Sequence, residues 1–142
     1  MRGSSRASSA FQNSSLRTAT LAAHTNRVPV IDGHLVCASL EFAQKPSPEE
    51  AARVLAEFRA PEIVQKLPSA PAQVIEVRNE PDRPQPRRDR DAGNGMATVV
   101  GHLRPDPLFH LRLVILSHNT IRGAAGGALL NGELLVAQGV VK

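Results

Sequence analysis

Arg27 and His34 stand seven positions apart in Asn26-Arg27-Val28-Pro29-Val30-Ile31-Asp32-Gly33-His34. A guanidinium grips a carboxylate or an oxyanion through paired, charge-assisted hydrogen bonds. An imidazole takes or gives a proton near neutral pH. Between them lie an apolar β-type run and an Asp-Gly bend signal. Strict alternation along a strand puts residues 27 and 34 on opposite faces, and only a bend at Asp32-Gly33 would bring them together. On residue chemistry alone the plainer readings are a surface ion pair for Arg27 and a hydrogen-bonded turn residue for His34.

Other chemistry-bearing residues are dispersed. His24, His34, His102, His110 and His118 fall on strands and junctions, with no two at ligand spacing on one helix, so no metal site is expected. Cys37 is the sole cysteine, which excludes an internal disulfide. In an apolar strand pattern it reads as a small core residue rather than a nucleophile. No Ser sits in a nucleophile elbow, and there is no P-loop. The run Gly123-Ala124-Ala125-Gly126-Gly127-Ala128 follows a strand and opens a helix. Its spacing matches no dinucleotide fingerprint, so close helix–sheet packing is the expectation and no cofactor is assigned.

The elements that must position these residues follow from periodicity. Val28 to Phe42 reads as β structure interrupted at Asp32-Gly33, with Pro29 marking a strand start or an edge. Ser47-Pro48-Glu49-Glu50 signals a helix running to Phe58: Ser47 as N-cap, Pro48 at the first position, Glu50 closing a capping box. Ala51, Val54, Leu55 and Phe58 give that helix its apolar stripe. A further turn or helix is expected at Glu62–Leu67, and strands at Val74–Val77, Met96–Leu103 and Leu108–Ser117. From Asn119 to Lys142 a strand-to-helix junction leads into a helix. The polar stretch from Glu80 to Gly95, with three Pro and nearly cancelling charges, reads as a solvated surface loop. The order β-α-β-β-β-α argues an α+β fold: a mixed, mostly antiparallel sheet with helices packed on one face.

Composition narrows the partners. The net charge of +4 is carried by Arg2, Arg6, Arg17 and Arg27 in an acid-free start, and the rest of the chain is neutral. With four Phe and no Trp or Tyr, neither a basic patch nor a stacking platform points to nucleic acid. No apolar run reaches membrane-spanning length, so no membrane partner is expected. Residues 1–22 read as a flexible Ser- and Arg-rich tail, and residues 23–142 as one domain. The expected location is cytoplasmic, with mitochondrial targeting by the tail the alternative.

The order of several separate motifs carries a resemblance. Asn26-Arg27-Val28-Pro29-Val30 with Gly33-His34, Pro68-Ser69-Ala70-Pro71, Glu80-Pro81-Asp82-Arg83-Pro84-Gln85-Pro86-Arg87, Gly101-His102-Leu103-Arg104-Pro105-Asp106, and Leu116-Ser117-His118-Asn119-Thr120 with Gly123-Ala124-Ala125-Gly126 occur in sequence. Together they resemble the C-terminal domain of fungal-type aspartate-semialdehyde dehydrogenase, over roughly residues 24 to 137. The resemblance implies that Arg27 binds the substrate carboxylate and that His34 is the acid/base for a cysteine-bound acyl intermediate. It places Asn119 and Thr120 near the nicotinamide and implies a homodimer formed through the sheet.

The same resemblance implies a Rossmann domain and a nucleophilic Cys upstream of Asn26, for which this sequence holds no counterpart. Cys37 follows the His and does not match the nucleophile. The expectation is therefore a repurposed, non-dehydrogenase enzyme. Its Arg27/His34 pair would act on an acyl or β-keto, polyketide-like substrate by cyclisation, lactonisation to a pyrone, or hydrolysis in fungal secondary metabolism. A polyketide synthase is its expected neighbour. The alternative is a non-catalytic dimerisation module or remnant, pairing with itself or with a full-length dehydrogenase.

Overall fold

The computed structural model describes residues 19–141. Strand β1, Thr20–Asn26, pairs antiparallel with β2, His34–Glu41, from Thr20 opposite Glu41 to Asn26 opposite Leu35. β2 pairs antiparallel with β5, Leu111–Ser117, and β5 with β4, Thr98–Pro105. The short β3, Ile75–Val77, runs parallel to β4 and closes the sheet in the order β1-β2-β5-β4-β3. The sheet is mixed and mostly antiparallel, as expected from the sequence.

β1 is an addition to that expectation. It starts at Thr20, inside the segment 1–22 read as a tail; residues 1–18 lie outside the described residues. Val28 to Ile31, expected to be β, instead form the turn between β1 and β2.

Helix α1, Pro48–Glu57, begins as the sequence predicts. Ser47 Oγ accepts from the Glu50 N–H at 3.0 Å, and Glu50 accepts from the Ser47 N–H at 3.3 Å. α1 lays Leu55 against a core of Ala38, Val100 and Leu113, with Leu40, Ile75, Leu103 and Ile115 around it. These residues share one face of the sheet, because Ala38 is paired with Leu113 and Val100 with Ile115. α2, Glu62–Gln65, follows.

The opposite face is covered at its centre by the stretch expected to be a solvated loop. That stretch folds into α3, Pro86–Asp89, and a 3-10 turn, Ala92–Gly95. A Cβ on Gly101 of β4 would collide with the Arg83 carbonyl and Pro84, so the chain passes directly over the sheet there. The physical reason is Asp89. It is 1% exposed, and its carboxylate gathers Arg83, Arg78 and the Gln85 N–H beneath the surface. Cys37 also departs from expectation: it is exposed. It lies on this second face, opposite His24 and Val114, and farther along the same face of β2 the Ser39 hydroxyl donates to Asp106 at 2.9 Å.

After β5 a π-helical turn, Ile121–Ala125, leads into α4, Gly126–Ala137. α4 is pinned by Glu133, which accepts from the Ser69 N–H at 3.0 Å and the Ser69 hydroxyl at 2.7 Å. Among the described residues, no helix is long and apolar enough to cross a membrane.

Candidate functional site

Three chain segments end at one edge of the sheet. β1 runs out at Asn26, β2 starts at His34 and β5 ends at Ser117, with Asn26 opposite Leu35 and His34 opposite Ser117. The β1–β2 turn therefore closes against the residues that follow β5. A cleft of about 440 Å³ opens there, lined by Arg27, Asp32, His34 and Asn119 among polar residues and by Val28, Val30, Ile31, Leu35 and Val36 among apolar ones. Arg27 and His34, which alternation along one strand would separate, line the same cleft. The turn between them breaks the alternation, and Gly33 makes this feasible with φ +105°.

Arg27 and His34 are both exposed, and neither side chain has a hydrogen bond or ion pair among the described residues. Both are available to a ligand. Asn119 accepts from the Gly33 N–H at 2.7 Å through Oδ1. Thr120 is not part of the cleft wall, but its hydroxyl reaches Asp32 Oδ1 at 3.4 Å. Behind them His118 is 5% exposed. Its Nδ1 accepts from the Ile121 N–H at 3.3 Å and faces the Thr120 hydroxyl at 3.2 Å. That leaves Nε2 to carry the proton of the neutral ring, 3.7 Å from Asp91 Oδ1. His118 thus braces the start of the π-helical turn. Sequence reasoning assigned it no role, and the signal available was its place directly before Asn119.

The glycines after the site do not form a phosphate cradle. A Cβ on Gly126 would come within 2.5 Å of Met96 Sδ, and one on Gly127 within 2.6 Å of the Arg122 carbonyl oxygen. The space at these two positions is taken by Met96, which precedes β4, and by the chain's own π-helical turn, rather than by a strand of the sheet. Among the described residues there is also no group of three or more His, Cys, Asp or Glu arranged to hold a metal ion.

An apolar groove of about 720 Å³ does exist, lined by Leu40, Phe42, Val54, Leu55, Leu111 and Leu113. It sits at the other end of β2 and β5. Leu40 lies six residues along β2 from His34, about 20 Å at the usual rise. An apolar chain seated there is out of reach of the Arg27–His34 pair.

A profile described as "Semialdehyde dehydrogenase, dimerisation domain" matches residues 4–122. The aspartate-semialdehyde dehydrogenases of Archaeoglobus fulgidus and Candida albicans are each 46% identical to the chain. Each match covers 85% of this chain and 34% of the relative. Among solved structures, the Candida albicans aspartate-semialdehyde dehydrogenase with NADP aligns with a TM-score of 0.71 and 48% identity, over 81% of this chain and 33% of that one. The Vibrio cholerae aspartate-semialdehyde dehydrogenase II aligns with a TM-score of 0.59 and 28% identity, over 78% of this chain and 29% of that one. The chain thus spans about a third of the length of the relatives it matches.

These findings overturn the expectation of a cyclase, lactonase or hydrolase acting on a polyketide-like substrate. The relatives named here are dehydrogenases, archaeal as well as fungal, and the apolar groove that such a substrate needs lies at the wrong end of the sheet.

Proposed function

The chain belongs to the semialdehyde dehydrogenase dimerisation-domain family, and from that membership we propose that it is the dimer-forming, substrate-binding third of an aspartate-semialdehyde dehydrogenase assembly. Arg27 fixes the substrate carboxylate by paired hydrogen bonds. His34 moves the proton as an acyl group forms on and leaves a cysteine supplied from outside this sequence. The observation that carries this reading is the shared cleft of Arg27, His34 and Asn119, in a chain 46% identical to its relatives over 85% of its length.

Among the described residues the glycine run after β5 leaves no room for a dinucleotide phosphate, since Met96 and the Arg122 carbonyl fill the positions at Gly126 and Gly127. The dinucleotide would supply hydride transfer from its own domain. This chain's task is to orient the carboxylate, hold the proton and bring two copies together. Homodimerisation through the open part of the sheet, where Cys37 and His24 are uncovered, fits that task.

The test is to co-express the chain with a Candida albicans relative lacking its matching third, and to measure NADP reduction by aspartate semialdehyde with inorganic phosphate present to take the acyl group from the cysteine. Assembly is expected to give turnover. Arg27→Ala should raise KM about 100-fold by losing a bidentate charge pair of roughly 3 kcal/mol. His34→Gln should lower kcat about 100-fold or more as the proton shuttle is lost. A folded, assembled complex that turns over equally well with both substitutions rejects these roles. A complex that assembles without turnover leaves a dimerisation module only.

A further inference from the structure

We infer that Asn119 is a positioning residue for the Arg27–His34 cleft, acting through the Gly33 N–H. The inference rests on the reading of Arg27 and His34 as a half-site. The turn from residue 27 to 33 has little of its own to hold it. Its internal backbone bond is Val30 N–H to the Val28 carbonyl at 2.8 Å. Its apolar side chains face outward: Val28 is 38%, Val30 39% and Ile31 87% exposed. A turn without buried side chains takes its geometry from hydrogen bonds to its surroundings.

Two such bonds come from consecutive residues after β5. Asn119 Oδ1 accepts from Gly33 at 2.7 Å, and the Thr120 hydroxyl donates to Asp32 at 3.4 Å. The first is the shorter, and it falls at the critical position. The β2–β5 ladder ends with His34 opposite Ser117. Asn119 extends that ladder by one rung with a side-chain acceptor, so the residue just before His34 is held like a strand residue. Gly33 is buried at φ +105°, and a Cβ there would come within 3.1 Å of Leu116 and 3.2 Å of Pro86. Gly33 therefore sits tightly against the sheet only in this conformation, and its N–H points at Asn119.

Asn119 itself is fixed on both sides. The His118 carbonyl accepts from Gly123 at 3.0 Å and the Thr120 carbonyl from Ala125 at 3.0 Å. Because a backbone N–H only donates, the Gly33 contact also settles which end of the Asn119 amide is oxygen. An acceptor held by the π-helical turn thus sets where β2 begins and which way His34 leaves the turn.

The test uses the full chain labelled with 15N and 13C, without substrate, so an inactive preparation still answers it. Asn119→Ala should speed hydrogen exchange at Gly33 at least tenfold and move the His34 imidazole cross-peak. The Leu113 and Leu116 amides and the imidazoles of His24, His102 and His110 should stay in place. Asn119→Asp keeps a carboxylate oxygen for the Gly33 N–H and should restore both signals. Unchanged Gly33 exchange and an unmoved His34 in Asn119→Ala overturn the inference. So does a general loss of protection at Leu113 and Leu116, which makes Asn119 a fold residue. Failure of Asn119→Asp to restore the signals overturns it as well.

Discussion

Asp89 is the residue on which the second face of the sheet depends. Its carboxylate is buried and takes hydrogen bonds from Arg83 Nε at 2.7 Å, Arg78 Nε at 3.2 Å and the Gln85 N–H at 2.7 Å, with Arg83 Nη2 also in close contact. Burial pushes this carboxyl up, yet the bonds from Arg83, Gln85 and Arg78 outweigh it and hold Asp89 below the usual carboxylate range. A depressed folded-state value means that the stabilisation is present above the ordinary carboxylate range. It is lost as pH falls through that range toward the folded value. Asp89→Ala leaves two half-buried guanidinium groups without their partner. It should cost about 3 kcal/mol in urea unfolding near neutral pH, with the difference from wild type narrowing in acid. None of this is legible in Glu80 to Gly95. Four acids and four arginines alternate there among prolines, and no spacing says which carboxylate turns inward. The charge balance that made the stretch look solvated is the balance of a buried network and an exposed one placed side by side.

At the scale of elements, what was legible depended on how local the cause is. α1 is specified by its own first turn, Ser47-Pro48-Glu49-Glu50, and the structure reproduces the capping box. Ser47→Ala should therefore cost about 1 kcal/mol by chemical denaturation. Glu50→Gln should cost less, since an amide oxygen still serves the Ser47 N–H. β1 is the opposite case. Thr20-Leu21-Ala22-Ala23-His24-Thr25-Asn26 is exposed almost throughout, so no buried face imposed an alternating pattern on it. It is a strand because β2 offers it a full ladder, a cause 9 to 21 residues away in sequence. The site shows both situations. Type and spacing singled out Arg27 and His34 as candidates but favoured a surface ion pair and a turn residue for them, and the tie from Gly33 to Asn119 spans 86 positions and exists only once β2 lies beside β5. Cys37 misleads for a related reason: its apolar neighbours set a strand, but which face is covered is decided by α1 and by the Asp89 network.

For the whole molecule the telling element is α4. Leu129, Leu130, Leu134, Leu135 and Val136 are distributed around its circumference, and a helix apolar on every side belongs in an interior. None of its residues is buried; Leu129 is 58% and Val136 57% exposed. The chain spans about a third of the length of its relatives, and the prediction is that α4 meets the remainder of such an assembly. Leu129→Gln with Val136→Gln should leave the unfolding free energy within about 0.5 kcal/mol, because the sites are open. The same pair should abolish assembly with the truncated dehydrogenase and reduce binding of an apolar dye. A loss of several kcal/mol in the isolated chain would instead mean that α4 is already packed within it.

Cys37 gives this fold a built-in reporter. The chain holds one sulfhydryl, it is exposed, and it stands at the middle of β2 between His24 and Val114 on the uncovered part of the sheet. A fluorophore or spin probe attached there goes on at a single address without any engineered residue. Quenching or dipolar broadening between two such probes would turn the approach of a second molecule to that surface into a distance.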